Sequence, residues 1–304
     1  MSFIEAHRER WGVEPICRVL QFAPQTYYAA RSRPLSARAQ RDELLKPEIA
    51  RVFEENFRVY GADKVWAQLN REGHRVARCT VERLMRDLGL QGARRGRAWK
   101  RTTIGDESLE RPRDLVERQF KAPAPNCLWV ADLTYVKTHS GFVYVAFIID
   151  VFSRRIVGWQ ASSSLRSDLA IDALEMAIYA RRERDLDGLV VHTDRGVQYL
   201  AIRYTERLAD AGAVASVGSR GDSYDNALAE STIGLYKTEL IHRRGPWKGV
   251  DDVEWATLTY VEWFNNRRLH SEIGMIPPAE YEDAHRRRQE AHQQERSSQT
   301  TGSL

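Results

Sequence analysis

Apolar residues along the first ninety positions recur every three or four residues, whereas from about Asn126 they alternate or run together. The first regime predicts helices. Ser2 to Trp11 forms one, ended by Gly12, and Glu14 to Leu20 and Gln25 to Arg31 form two short ones before Pro34. That short pair has the outline of a small helix-turn-helix, with Tyr27-Tyr28 serving either it or ordinary packing. A longer helix is expected over Asp42 to Asn56. Gly61 to Glu72 and Arg78 to Leu88 follow, joined by a turn at Gly73-His74. Val65 and Leu69 are spaced to pack against Val81, Leu84, Met85 and Leu88, which makes this second pair the better helix-turn-helix candidate.

The second regime predicts a sheet. Leu128–Thr138, the turn His139-Ser140-Gly141 and Phe142–Val151 read as a hairpin, and Ile156 to Ala161 as a third strand. A helix from Ser167 to about Glu183 carries Leu169, Ala173, Met176 and Ala180 on one face. Leu189 to Asp194 is a fourth strand, apolar enough for a sheet centre. Tyr199–Ala211 is helical, Ala213–Val217 a fifth strand, and Asp225–Arg243 a long helix docked by Ala229, Ile233, Tyr236 and Leu240. A further helix opens at Asp251, buries Val253, Ala256, Tyr260 and Phe264, ends on basic Asn265-Asn266-Arg267-Arg268, and is broken by Pro277-Pro278. The tail from His285 is charged and rich in Gln and Ser, helical at first and then disordered.

Charge refines this outline. The chain has 304 residues and a net charge of +4, but residues 1–101 carry 21 Lys/Arg against 12 Asp/Glu. A basic N-terminal third suits a polyanion, because Lys and Arg release condensed counterions from phosphates. Arg78, Arg83 and Arg86 face outward on the second helix of the pair, as groove-reading side chains or as a solvated face. The adjacent basic linker with Arg94, Arg95 and Arg97 favours contact with DNA. The longest apolar stretch, Phe142 to Ile149, is too short to span a bilayer, and no secretion signal is present. Cys17, Cys79 and Cys127 are isolated and lack zinc spacing, so they are expected to be reduced in a cytoplasmic protein.

The candidate chemistry rests on three carboxylates. Asp132 interrupts the apolar run Trp129-Val130-Ala131-Asp132-Leu133-Thr134-Tyr135-Val136, Asp194 ends Leu189-Val190-Val191-His192-Thr193-Asp194, and Glu230 stands on the long helix with 35 residues between it and Asp194. A mid-strand Asp among Trp, Val and Leu has no cheap structural role, and a divalent cation is the obvious partner. Three carboxylates can hold two such ions for in-line displacement at phosphorus. Asp150, before Phe152-Ser153-Arg154-Arg155, reads instead as a turn former. His192 is either a group supporting the carboxylates or a strand residue near the surface. Asn226, Glu230, Gly234 and Lys237 share one helix face, and Gly234 leaves room for a DNA backbone. Gly218-Ser219-Arg220-Gly221-Asp222-Ser223 reads as a mobile loop.

Trp129 through Thr134, His192-Thr193-Asp194-Arg195-Gly196 and Asp222-Ser223-Tyr224-Asp225-Asn226-Ala227 through Glu230 resemble the integrase-core transposases of bacterial insertion sequences. The closest likeness is to the second-reading-frame product of the retroviral-integrase-like group. The resemblance extends to about Glu282, through Asn265–His270 and Ile276-Pro277-Pro278-Ala279-Glu280. It implies an α/β ribonuclease-H-like catalytic core, a five-stranded mixed sheet with flanking helices, preceded by an all-α helix-turn-helix region. It departs from the retroviral integrases in lacking a zinc-binding N-terminal module.

The domain layout expected is a small helical region at 1–40, a helix-turn-helix at 41–92, a basic linker at 93–125, the core at 126–245, its helical extension at 246–282 and the tail at 283–304. The resemblance makes Asp132, Asp194 and Glu230 catalytic ligands of two Mg²⁺ or Mn²⁺ ions and Lys237 a contact to the DNA end, with Asn226, on the same helix face, a further DNA contact. It implies terminal inverted repeats and target DNA as substrates, a homo-oligomer, a nucleoid-associated cytoplasmic location, and an upstream-frame partner or frameshift fusion. Two rivals are a hydrolytic ribonuclease-H-like nuclease, which needs no basic N-terminus, and a silent repressor relic, which usually loses a carboxylate.

Overall fold

The computed structural model describes residues 1–94, 121–165, 167–184, 186–193, 202–217 and 227–301. Asp194, Asn226, Arg95, Arg97 and the Gly218–Ser223 loop lie outside these. Packing divides the chain into two units, Met1–Ala50 and Arg51–Leu304.

The first unit holds α1 (Ser2–Trp11), α2 (Val13–Val19), α3 (Pro24–Ser32) and the start of α4 (Ala37–Glu55). Ile4, Ile16, Cys17 and Tyr27 form its core, with Val13 and Phe22 packed against them. Tyr27 is therefore a packing residue, while Tyr28 is exposed. α4 starts five residues ahead of the expected Asp42, because the Ser36 hydroxyl accepts the Ala39 N–H at 3.2 Å and caps the helix there.

In the second unit, α5 (Ala62–Arg71) and α6 (Arg78–Asp87) bury Val65 and Leu69 with Val81, Leu84 and Met85. Gly73, with φ of 92°, makes the turn between them, a conformation that a side chain would strain. Leu88, expected in this seam, is exposed, because the helix ends at Asp87.

The sheet is built from β1 (Leu128–Thr138), β2 (Gly141–Asp150), β3 (Ile156–Ser162), β4 (Val190–Thr193) and β5 (Val214–Val217), in the order β3-β2-β1-β4-β5. β1, β2 and β3 pair antiparallel, while β4 and β5 join parallel to β1. One face packs Trp129, Ala131, Ala146 and Ile148 against α7 (Ser167–Ala180) and α8 (Ile202–Asp210). α7 buries Ala170, Ala173, Leu174 and Ala177, whereas Met176 is exposed. Small residues let the helix lie directly on β3, and a Cβ on Gly158 would meet the Ala173 carbonyl oxygen at 2.1 Å. Of the expected face, Leu169 and Ala173 are buried, while Met176 and Ala180 are exposed.

The opposite sheet face carries α9 (Ala227–Tyr236), which buries Ala229, Ile233 and Tyr236, and the Tyr236 ring meets Phe147 of β2 at 4.9 Å. The long helix expected to reach Arg243 changes at Lys237–Ile241 into a π-helical turn, followed by α10 (His242–Arg244). That turn places Glu239 in the interior, where it accepts from Arg268 Nε at 2.9 Å, Arg268 Nη2 at 2.6 Å and the Tyr260 hydroxyl at 3.1 Å. Tyr260 lies on α11 (Val250–Asn266). Arg268 is only 3% exposed and forms a buried ion pair, while Arg267 leaves the expected basic end of α11 in solvent. Asn265 is also internal, bonding both backbone groups of Ile156 on β3.

The same neighbourhood fastens the helix-turn-helix to the core. The Tyr60 hydroxyl accepts the Leu269 N–H at 2.8 Å, and Trp263 Nε1 donates to Asn56 Oδ1 at 3.0 Å. Burial, then the nearby Arg268 charge, lowers Lys64 to about 8 and His270 to about 2. Pro278 does not merely break the preceding segment. It opens α12 (Pro278–Thr301), which continues helically where disorder was expected. Among the described residues no helix is long and apolar enough to cross a membrane.

Glu239→Ala leaves the Arg268 charge buried without its carboxylate, and urea denaturation should show a loss of about 3–5 kcal/mol. A Glu239→Met/Arg268→Met double variant should recover most of it. Lys64 has a folded pKa below its unfolded one, so the unfolded chain binds the extra proton above about pH 8. Its contribution to stability should therefore rise with pH from there toward the ordinary lysine value, and thermal melts of Lys64→Met should show a flatter pH dependence than the parent.

Candidate active site

Strand alternation decides which way Asp132 points. Trp129, Ala131 and Leu133 face the α7–α8 side, so Asp132 between them projects to the α9 side. Its partner across β2 is Phe147, the ring on which Tyr236 of α9 rests. Asp132 is half-buried, and its Oδ1 accepts the Leu133 N–H at 2.7 Å. On the other flank of β1, Thr193 pairs with Ala131. One residue further along these two segments are Asp132 and, outside the described residues, Asp194.

Glu230 is half-buried in the first turn of α9. Lys237 follows two turns later, about 10 Å along the axis. Burial lowers the Lys237 pKa, and the Asp132 charge opposes that shift. Lys237 thus shares an electrostatic environment with Asp132, and its Nζ sits 4.9 Å from the Tyr135 ring centroid. Gly234, expected to admit a DNA backbone, is itself buried, so that role falls away.

The remaining candidates separate cleanly. Asp150 is fully buried and accepts N–H bonds from Asn126 at 2.8 Å, Phe152 at 3.0 Å and Ser153 at 3.2 Å, which bears out the turn reading. Burial pushes its carboxyl upward. His192 is 1% exposed and bonds Ser216 Oγ at 3.0 Å across β4 and β5, so it is not near the surface. On α6, Arg78 pairs with Asp63 at 2.8 Å, Arg83 with Asp87 at 3.5 Å and Arg86 with Glu82 at 3.6 Å. Such exposed pairs are worth about 0–1 kcal/mol, weak enough to exchange for phosphate contacts. Arg94 is exposed. Tyr135 was not singled out from sequence.

Two integrase core domain models match residues 122–223 and 212–278, and an HTH-like domain model matches residues 39–98. Asp132 and Asp194 fall in the first match, and Glu230 in the second. The transposase for insertion sequence element IS629 of Shigella sonnei is 54% identical over 290 residues, covering 94% of this chain and 96% of the relative. The chain belongs to the insertion-sequence transposases.

A putative transposase for insertion sequence element IS986/IS6110 of Mycobacterium tuberculosis is 55% identical, over 88% of this chain and 96% of that protein. A simian T-cell lymphotropic virus intasome, solved with a PP2A regulatory subunit, matches at TM-score 0.46 and 16% identity, over 71% of this chain and 70% of that chain. The transposase is a polynucleotidyl transferase acting in DNA transposition, with an integrase core of ribonuclease-H-like fold and an HTH-like region before it. Integrase cores work with a divalent metal.

α9 carries Glu230 and leads into Lys237 at the start of the π turn, so its docking on the sheet fixes where both stand. Ile233→Ala should cost about 2–4 kcal/mol in thermal denaturation. Cleavage of element-end DNA should fall in the same variant at temperatures where it remains folded.

Proposed function

We propose that this transposase cuts one strand at each inverted-repeat end of its element and joins the freed 3′-hydroxyl to target DNA, using Asp132, Asp194 and Glu230 as ligands of two Mg²⁺ or Mn²⁺ ions. The observation that carries this reading is Asp132 itself. It is a half-buried carboxylate on the sheet face beneath α9, with the Lys237 ammonium in its field. The donor set is all hard oxygen, which fits magnesium or manganese rather than zinc. When bound, the ions activate the attacking oxygen and stabilise charge at phosphorus.

The chain's own groups do the rest. The docked α9 holds Glu230 and passes into the π turn that opens with Lys237, a point charge for a phosphate near the scissile bond. Arg78, Arg83, Arg86 and Arg94, with Arg95, Arg97 and Asn226, are the further DNA contacts of this reading. The working form would be a homo-oligomer associated with the nucleoid, with an upstream-frame partner or fusion adding DNA recognition. A purely hydrolytic nuclease or a silent repressor is disfavoured by identity with transposases along nearly the whole chain and by retention of all three carboxylates.

Asp132→Asn and Asp194→Asn each remove a charged ligand while nearly keeping shape. With labelled element-end DNA and Mg²⁺, nicking and joining should both drop by roughly 10²–10⁴-fold, with DNA binding retained. Undiminished nicking by either variant overturns the assignment. Arg86→Ala in the full chain should weaken DNA binding and reduce the salt slope by about one. An unchanged slope would make Arg86 a solvated helix charge.

A further inference from the structure

The segment entering β1, the turn after α7 and the first half of α12 line a cavity of about 440 Å³. Three of its residues hold a buried polar atom without a hydrogen-bond partner: Arg181 Nε, His285 Nε2 and Asn126 Oδ1. Arg181 is 8% exposed, and the His285 ring is held edge to face against Phe152, with centroids 4.8 Å apart. Folded interiors rarely leave such atoms unmet. Here they come from three separate elements that meet at one cavity.

The neighbouring carboxylates cannot meet the Arg181 donor. Glu282 accepts from Arg181 Nη1 at 2.9 Å, Arg181 Nη2 at 2.6 Å, Arg155 Nη1 at 3.0 Å and the Ser153 hydroxyl at 2.7 Å. Those four bonds fill the lone pairs of one carboxylate. The nearest Asp150 oxygen stands 3.9 Å from Arg181 Nη2. Positive charge is in surplus around the cavity, where the guanidiniums of Arg155, Arg181, Arg182, Arg184 and Arg286 outnumber the carboxylates of Glu183, Glu282 and Asp283. Arg182 and Arg184 are exposed, and neither meets a carboxylate among the described residues.

From these observations we propose that the cavity binds a phosphate group, with Arg181 Nε and His285 Nε2 donating to its oxygens and Arg182 and Arg184 closing over its charge. Water could hydrogen-bond the three atoms but would leave the surplus charge uncompensated. A carboxylate offers two oxygens in one plane, whereas a tetrahedral phosphate sends oxygens toward several elements at once. Asn126 completes the set, because its amide, turned half round, presents Nδ2 in place of Oδ1. Guanidinium forks match phosphate geometry, and such charge-assisted bonds are the strong ones. The site shares no residue with Asp132, Asp194 and Glu230, so it stands or falls apart from the metal reading.

The test titrates inorganic phosphate into the full chain by calorimetry, against chloride at matched ionic strength. The parent should give a saturable heat that chloride does not. His285→Phe keeps a ring against Phe152 and removes Nε2, and it should weaken phosphate roughly 10-fold or more. The Arg182→Ala/Arg184→Ala double variant, whose side chains are exposed and outside the core, should weaken it by a similar factor. Unchanged melting curves verify that both variants fold. Duplex DNA, measured at the same ionic strength, separates the two sources of the group. If a DNA backbone supplies the phosphate, His285→Phe weakens duplex binding as well, and added phosphate competes with the duplex in the parent but not in the variant. If the phosphate is free in solution, duplex binding by His285→Phe equals the parent's. No saturable heat in the parent, or phosphate binding unchanged in both variants, would overturn the site.

Discussion

The burial of Arg268 is the constraint on which the second unit depends. A guanidinium that is only 3% exposed requires a carboxylate with fixed geometry, and Glu239 supplies one by two hydrogen bonds. Glu239 can reach inward because the helix after Tyr236 opens into a π turn. The same pair touches α11 through the Tyr260 hydroxyl, and Tyr60 closes the link to the helix-turn-helix by bonding Leu269, the residue after Arg268. One ion pair thus joins the helix that carries Glu230, the helix beside it and the module that precedes the core. Such a pair is weak evidence for net stability, because desolvation offsets much of its attraction. Its consequence is geometric: it specifies one arrangement of three elements.

The sheet then divides its labour by face. Small residues on α7 and Gly158 on β3 bring helix and sheet together closely on one side. On the other side the larger Phe147 and Tyr236 rings hold α9 against β1 and β2. Asp132 sits on that second side, at the edge of the aromatic contact, where a charged group is half-buried yet reachable. A second buried cluster, at the far end of β2, shows the contrast. There Arg181 bonds Glu282 at 2.6 Å and lies 3.9 Å from Asp150, so those carboxylates are consumed in fastening α12 to the core. Two acidic groups on neighbouring strands, Asp132 and Asp150, differ in what surrounds them rather than in residue type.

This arrangement suits a polynucleotidyl transferase. A functional site is most precise when its groups stand on rigid elements, and the sheet and the docked α9 are such a base. Tyr60, Asn56 and Trp263 tie the HTH-like region to the core within the second unit.

Sequence alone determined the order and type of the elements, because their period and caps are local. The helix-turn-helix, the hairpin, the strand–helix alternation and the docking stripe Ala229, Ile233, Tyr236 and Leu240 were all legible. So were Asp132 as an anomalous charge in an apolar strand and Asp150 as a turn former. The family resemblance, confirmed by relatives more than half identical, supplied the chemistry proposed for those carboxylates. Tertiary structure decided what depends on distant partners. Arg268 and Asn265 read as part of a basic helix end, yet they are interior because Glu239 and the Ile156 backbone meet them there. Gly234 became a packing residue, and α7 turned to bury its alanines rather than Met176. The exposed Tyr135 ring, set beneath Lys237 from a helix a hundred residues later in the chain, could not be read from any local pattern. Local periodicity fixes which side chains can share a face; only packing between remote segments fixes which charges are desolvated and which rings remain in water.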